Sequence, residues 1–299
     1  TMTQVTIVSG HLIQASRQTT SHKSPLHLGP LDVVVGAQIP VAVVFVYRGV
    51  SQQSSGSDRL ISINALRKAL GLLLNFYPHL AGQLQINAKT GSRQVVFPSK
   101  GALLLQARCD TRLDDLQKFS TLTLAELPSS GNDLLPSLDL SVEAACDHPV
   151  FAIQHTRFAC GGVSLGVKVL HTLCDAEGFF LLTRHLAEIY RQVASGLADD
   201  AISLERPPHI TSYLSASDRQ ADEGSTDISD FVPKYMYEHN DEAPRKPPRS
   251  DPPSPSAVVG KVVQFSAEDL KRLKAKAMGD GKNGWVSTFE ALSAYLFQV

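Results

Sequence analysis

Residues 156–178 read TRFACGGVSLGVKVLHTLCDAEG, and the fold can be predicted outward from this stretch. Apolar and β-branched residues dominate Val163–Leu170 and the preceding Phe151–Phe158, which indicates two buried strands. From about Glu177 to Leu197 the apolar side chains recur every three or four residues, as in an amphipathic helix. These apolar positions are Phe179, Leu182, Leu186, Ile189 and Val193. The stretch therefore predicts a strand that passes through a short turn into a helix.

The predicted turn contains His171 and Asp175 in an HxxxD spacing. A neutral imidazole accepts a proton near pH 7, so a histidine at the end of a rigid strand is suited to act as a general base. We expect Asp175 to support the turn through hydrogen bonds or an ion pair. Two such side chains are too few for a zinc site, and no third ligand is close in sequence, so no metal is predicted.

A second motif, GxSxG, overlaps the first and centres on Ser164. In a serine hydrolase the serine of this motif lies between a strand and a helix that follows it directly. Here the strand pattern continues beyond Gly166, and the later histidines, His185, His209 and His239, have no suggestive setting. A hydrolase that uses Ser164 remains a lesser alternative, and Cys174 is interpreted as a packed thiol.

Composition excludes several classes of protein. With 28 basic and 29 acidic residues the net charge is −1, so no bulk charge favours nucleic acid or anionic lipid. A hydrophobic content of 43% excludes disorder throughout. Polar residues interrupt the apolar stretch Leu31–Tyr47, so no membrane span is predicted. We expect no signal peptide, a cytoplasmic location and, since the four cysteines form no CxxC pair, reduced thiols.

The length of 299 residues corresponds to about two domains. Further strands are predicted at Val33–Val35, Val41–Tyr47, Val142–Ala145 and Val258–Phe265. Helices are predicted at Ser62–Phe76, where Ser62 is the cap, at Ser266–Ala277, and from Ser287 or Thr288 through the last residue without a C-terminal cap. Nine of the 17 prolines lie between Glu205 and Ser256, which indicates an extended linker. The predicted division is a first domain at 1–204, a linker at 205–257 and a second domain that begins at 258–299.

These residues resemble the BAHD family of CoA-dependent acyltransferases. Besides the HxxxD stretch, Leu66–Leu84 is similar to the family's FYPLAGRL segment, and Ser287–Leu296 is similar to its STFEALAAHLW helix. Leu31, Asp32, Pro40 and Val46–Arg48 resemble its N-terminal strand region. These segments occur in the same order as in the family, from about Leu31 to Val299. Two departures are that Ala176 and Glu177 precede Gly178, where the family reads HxxxDG, and that the DFGWG signature is absent.

The resemblance implies an α/β fold like that of chloramphenicol acetyltransferase, with mixed sheets flanked by helices and an active site between two domains. The second domain is incomplete in these 299 residues. In the family the histidine, here His171, takes the proton from an acceptor hydroxyl or amine, which attacks the acyl-CoA thioester directly without an acyl-enzyme. The aspartate, here Asp175, holds the site's geometry. Acyl-CoA is then a co-substrate, and no permanently bound cofactor is implied.

Further positions follow from the same resemblance. Gln38 and Pro40 fall where family members line the acceptor pocket, although Gln38 also fits a polar break between strands. Ser287 and Thr288 fall near the region that holds the CoA arm, although helix capping explains them equally well. The expected partners are acyl-CoA, a small hydroxyl or amine acceptor, and the remainder of the second domain, from the same protein or a separate chain. The alternative function is a truncated, inactive member that acts as a binding or assembly partner.

Overall fold

The computed structural model describes residues 5–17, 25–28, 32, 40–48, 60–87, 93–96, 100–115, 127–138, 148–210, 263–279 and 285–298. Two compact units divide the chain, Thr1–Thr226 and Asp227–Val299. The predicted strands at Val33–Val35 and Val142–Ala145 lie outside the described residues, as do Gln38 and most of the predicted linker.

A five-stranded mixed sheet forms the centre of the first unit. Its strands lie in the spatial order β1, β6, β7, β8, β3, and all neighbours are antiparallel except the parallel pair β6 and β7. They are β1 (Val5–Ile13), β3 (Pro40–Tyr47), β6 (Ala102–Cys109), β7 (Phe151–Phe158) and β8 (Val163–Leu170). The predicted strands Val41–Tyr47, Phe151–Phe158 and Val163–Leu170 are thereby confirmed.

A smaller antiparallel sheet has the order β2, β5, β4. It consists of β2 (Leu26–His27), β4 (Gln83–Ile86) and β5 (Arg93–Val96). Leu84 of β4 joins Leu170, the last residue of β8, in one apolar cluster. The small sheet therefore contacts the end of β8 at which the predicted turn begins.

Two helices cover one face of the large sheet. Helix α1 (Ile63–Phe76) begins at the predicted cap, where the Ser62 hydroxyl accepts from the Ala65 N–H, and ends before Pro78. Helix α2 (Ala176–Ala194) ends just before Gly196, whose positive φ of 82° suits glycine. Both helices place their apolar faces in the main core with alternate residues of the sheet. Burial of these faces explains the periodicity seen in the sequence.

The opposite face of the sheet is covered by irregular chain. A 3₁₀ segment, Pro128–Leu134, lies against β8 so closely that Gly166 faces the Leu134 carbonyl oxygen with no space for a side chain. Ser129 and Ser130 in this segment have φ of 47° and 55°, in the left-handed region that non-glycine residues rarely adopt. The close contact at Gly166 fixes this segment onto the sheet.

The second unit contains two described helices. Helix α3 (Ala267–Met278) and helix α4 (Thr288–Leu296) both begin with a capping box, formed by Ser266 with Asp269 and by Ser287 with Glu290. Phe265 contacts Tyr295 edge to face, and Lys274 lies over the Trp285 ring. The predicted starts of both helices are confirmed.

Two predictions for this unit differ from the structure where it is described. Of the predicted strand Val258–Phe265 only residues 263–265 are described, and these three are irregular. The last helix ends at Leu296 with Phe297 as its C-cap, instead of continuing through Val299. In the described part of the chain no helix has the length and apolar character needed to cross a membrane.

Candidate active site

His171 directly follows the last residue of β8, at the end of that strand where the small sheet contacts the large one. It opens a single 3₁₀ turn, His171–Leu173, directly after β8, and its side chain is half-buried. The preceding residue, Leu170, is fully buried, pairs with Pro40 of β3 and donates its N–H to the Val150 carbonyl at 2.9 Å. The backbone before His171 is thus held on both sides, while its imidazole stays accessible. This is the arrangement that a general base at a strand end requires.

Asp175 is the N-cap of α2. Its carboxylate Oδ1 accepts from the Gly178 N–H at 2.7 Å, and its carbonyl accepts from the Phe179 N–H. A carboxylate at this position satisfies helix N–H groups that have no partner within the helix, and it is favoured by the helix dipole. Asp175 is exposed and makes no ion pair among the described residues. The structure therefore places Asp175 at the turn as a cap, consistent with a supporting role.

We expect Asp175→Ala to lower the melting temperature together with activity. Loss of the cap costs about 0.5–2 kcal/mol of the free energy of unfolding, and Asn at the same position caps equally well. Asp175→Asn is therefore the matched control, and its thermal melt should overlay that of the wild type. If Asp175→Ala melts normally yet loses activity as fully as a His171 variant, Asp175 takes part directly in the chemistry.

Cys174 lies between the turn and the cap. Burial raises the pKa of its thiol to about 12, and the neighbouring Asp175 carboxylate acts in the same direction. A thiol with this pKa is protonated at neutral pH, whereas the reactive nucleophile is the thiolate. Cys174 also packs against the main core. These observations support the interpretation of Cys174 as a packed thiol.

Ser164 lies inside β8 and is fully buried. Its neighbours Val163 and Leu165 belong to the core beneath the helices, so its side chain points to the opposite face of the sheet. Its hydroxyl has no hydrogen-bond partner in the described part of the chain. The exposed turn that a hydrolase nucleophile needs is absent at Ser164, where the backbone is a regular strand. His185, one of the histidines considered for a triad, is buried on the helix side.

Of the other predicted site residues, one lies near His171, one lies outside the described residues and two belong to the second unit. Pro40 opens β3 opposite Leu170, so the structure brings it to the same end of the sheet as His171. Gln38 lies outside the described residues. In the second unit, the Ser287 hydroxyl accepts from the Glu290 N–H at 3.1 Å, and Thr288 is the first residue of α4. The capping interpretation of Ser287 is therefore satisfied by the structure.

A buried pair that the sequence did not reveal lies beside the turn. The Tyr77 hydroxyl is 2.7 Å from Nδ1 of His185, although 108 residues separate them in the chain. Tyr77 is the C-cap of α1, and His185 is in the middle of α2. The signal available in sequence was weak, because a tyrosine after a helix and a histidine on an apolar helix face each fit ordinary packing.

An apolar groove of about 450 Å³ opens on the helix side of the sheet. Its walls include Phe45 and Tyr47 of β3, Leu60 with Ile61, and Phe180 with Tyr190 of α2. No residue of the turn from His171 to Asp175 lines it. We therefore place the candidate chemistry at the turn and not in this groove.

A model of one protein family covers almost the whole chain. The family model described as "Transferase family" matches residues 3–299. The chain belongs to this family, the BAHD acyltransferases. The family that the sequence resembles is confirmed, and its members are acyltransferases that use CoA thioesters.

Three curated BAHD proteins illustrate the similarity. The chain is 25% identical to spermidine coumaroyl-CoA acyltransferase of Arabidopsis thaliana, over 96% of this chain and 56% of that protein. It is 28% identical to rosmarinate synthase of Plectranthus scutellarioides, over 99% of this chain and 61% of that protein. It is 29% identical to putrescine hydroxycinnamoyltransferase 1 of Oryza sativa subsp. japonica, over 98% of this chain and 58% of that protein. The chain thus spans just over half the length of the curated relatives it matches.

Solved structures show the same fold. Vinorine synthase superposes with a TM-score of 0.56 at 18% identity, over 99% of this chain and 60% of that chain. TRI101 of F. graminearum, in complex with coenzyme A and deoxynivalenol, superposes with a TM-score of 0.52 at 20% identity, over 92% of this chain and 60% of that chain. The predicted fold like that of chloramphenicol acetyltransferase is confirmed.

Proposed function

We propose that the complete protein transfers an acyl group from a CoA thioester to a hydroxyl or amine of a small molecule, with His171 as the general base. The observation that carries the proposal is the placement of His171 in a BAHD chain. It is half-buried and directly follows a strand residue that is held on both sides. A base must reach the reacting proton from a fixed position, and this turn provides one.

The proposed reaction is a single displacement. The acceptor oxygen or nitrogen attacks the thioester carbonyl while His171 takes its proton, the carbon–sulfur bond breaks, and the proton passes to the departing CoA sulfur. Ser164 is buried and Cys174 is held as a thiol, so neither is suited to form an acyl-enzyme. Direct transfer is therefore the simplest scheme that the turn supports.

The class of substrate is proposed from relatives only in outline. The names of two relatives each give a polyamine and an aromatic acyl group. One pairs spermidine with coumaroyl-CoA, and the other pairs putrescine with a hydroxycinnamoyl group. Rosmarinate synthase is a further relative. We propose an aromatic acyl-CoA as the first donor to test, with spermidine, putrescine and a panel of small hydroxyl compounds as acceptors.

We further propose that the remainder of the second domain completes the site. Trp285, Phe289 and Phe297 in the second unit are 75%, 78% and 92% exposed, although large apolar side chains ordinarily lie in a core. Further chain of the second domain would cover them.

The test is an acyl-transfer assay with coumaroyl-CoA and each acceptor, following free CoA and the mass of the product. We expect product from the complete protein, or from residues 1–299 co-expressed with the remainder of the second domain, and none from residues 1–299 alone. Turnover by isolated, monomeric 1–299 would contradict the proposal that the second domain completes the site. Absence of any acylated product from the complete protein across donors would contradict the proposed activity.

A further inference from the structure

Tyr77 and His185 form a buried hydrogen bond between the two helices of the first unit. The Tyr77 hydroxyl lies 2.7 Å from His185 Nδ1, and the ring centroids are 5.9 Å apart. The exposed fractions of the two residues are 5% and 1%. This contact ties the end of α1 to the middle of α2, away from water.

Both members of the pair are neutral. Burial raises the pKa of the Tyr77 hydroxyl and lowers the pKa of the His185 ring. Around His185, Glu188 and a hydrogen bond with the Arg206 backbone favour the protonated ring, while Arg184 opposes it, and burial is the largest effect. The hydrogen bond with the Arg206 backbone uses the single N–H of a neutral imidazole, which leaves Nδ1 to accept from the Tyr77 O–H.

The pair borders the turn that carries His171. Leu173 and Cys174 of the turn pack against the apolar core that contains Tyr77, and the Cys174 sulfur is near enough that its ionised form raises the pKa of the Tyr77 hydroxyl. The Cys174 N–H donates to the His171 carbonyl at 3.2 Å. The pair and the turn therefore share one packed core, and the Cys174 N–H joins that core to the backbone of His171.

We infer that Tyr77 and His185 are positioning residues that set where the His171 turn stands relative to α1 and α2. The inference rests on the proposed function of His171 as the base. Without the hydrogen bond, the Tyr77 ring is free to shift, and Cys174 and the turn can follow it. A small displacement of a general base lowers the rate of the chemical step more than it lowers binding.

The test compares two Tyr→Phe variants in the complete protein. Tyr77→Phe removes the hydroxyl beside the turn. Tyr190→Phe is the matched control, because the Tyr190 hydroxyl also joins α2 to α1, accepting from the Ser62 N–H at 2.9 Å, but next to the groove instead of the turn. We expect Tyr77→Phe to lower kcat by roughly ten- to a hundredfold with little change in KM for acyl-CoA. We expect Tyr190→Phe to leave kcat close to that of the wild type.

A second pair of variants covers the case in which Tyr77→Phe fails to fold. The amide oxygen of His185→Gln can accept from the Tyr77 hydroxyl, whereas His185→Leu cannot. We expect His185→Gln to keep most of the kcat that His185→Leu loses. Equal kcat for the two Tyr→Phe variants, or no rescue by Gln over Leu, would overturn the inference.

A third measurement separates this inference from the proposed function. The rate at which diethyl pyrocarbonate modifies His171, read by peptide mapping, reports its exposure and orientation without any acyl transfer. We expect Tyr77→Phe, and not Tyr190→Phe, to change that rate. If the wild type transfers no acyl group but this difference is found, the positioning survives and the proposed activity fails. If the rates are all equal, the positioning fails.

Discussion

His171→Ala in the complete protein should lower kcat by about 10²–10⁴-fold and leave the fold intact. A hydroxyl or amine must lose a proton as it attacks the thioester, and a positioned base contributes a factor of this size. The His171 side chain is only half-buried and lies outside the apolar clusters of the core, so its removal leaves no large cavity. Turnover measured at saturating acyl-CoA and acceptor gives the size of the effect.

The control for this variant is His209→Ala, because His209 is an exposed histidine of the same unit. Both variants should melt within a degree or two of the wild type, because neither side chain belongs to the apolar core and substitutions away from the core rarely change the free energy of unfolding by more than about 0.5 kcal/mol. Near-normal acyl transfer by His171→Ala would remove His171 from the mechanism.

Gly166→Ala should be the most destabilising of the small substitutions on β8. A Cβ at residue 166 would overlap the Leu134 carbonyl oxygen and stand 3.0 Å from the Leu135 Cα, and both are backbone atoms. Because these are backbone atoms, rotation of a side chain cannot remove the overlap. The Pro128–Leu134 segment must move away from β8 instead. Overpacking of this kind costs about 1–3 kcal/mol or more. Urea denaturation of the first unit measures the change.

Gly10→Ala is the matched control for Gly166→Ala. Both glycines lie in strands of the large sheet, but the added Cβ at Gly10 meets only the Cδ2 of Leu105, at 3.0 Å. That atom ends a flexible side chain, so we expect a change within about 0.5 kcal/mol. A Gly166→Ala variant as stable as Gly10→Ala would show that the covering segment yields freely.

The sequence predicted best the features whose causes are local. Ser62 begins α1, and the strand, turn and helix around His171 follow from apolar periodicity within a few residues. The candidate base could be proposed for the same reason, because its position depends on where one strand ends. Capping and periodicity act over one or two turns of chain and are written in consecutive residues.

The features that escaped prediction depend on distant partners. Tyr77 and His185 meet only because α1 and α2 pack side by side. Residues 263–265 have strand-like composition without strand structure, since a strand depends on a neighbour that composition does not specify. The special place of Gly166 comes from Leu134, a residue of an irregular segment. In each case the deciding contact is tertiary.

The register of β3 has a consequence for how the chain emerges from the ribosome. Pro40 pairs with Leu170 and Tyr47 with Val163, so the partner strand is synthesised long after β3 itself. At about 5–20 residues per second the delay is roughly 6–25 s. During this delay the apolar strand PVAVVFVY lacks its native strand partner, and unpaired strand edges of this kind associate with other chains. The nascent first unit therefore exposes an unpaired strand edge until the β7–β8 hairpin has been synthesised.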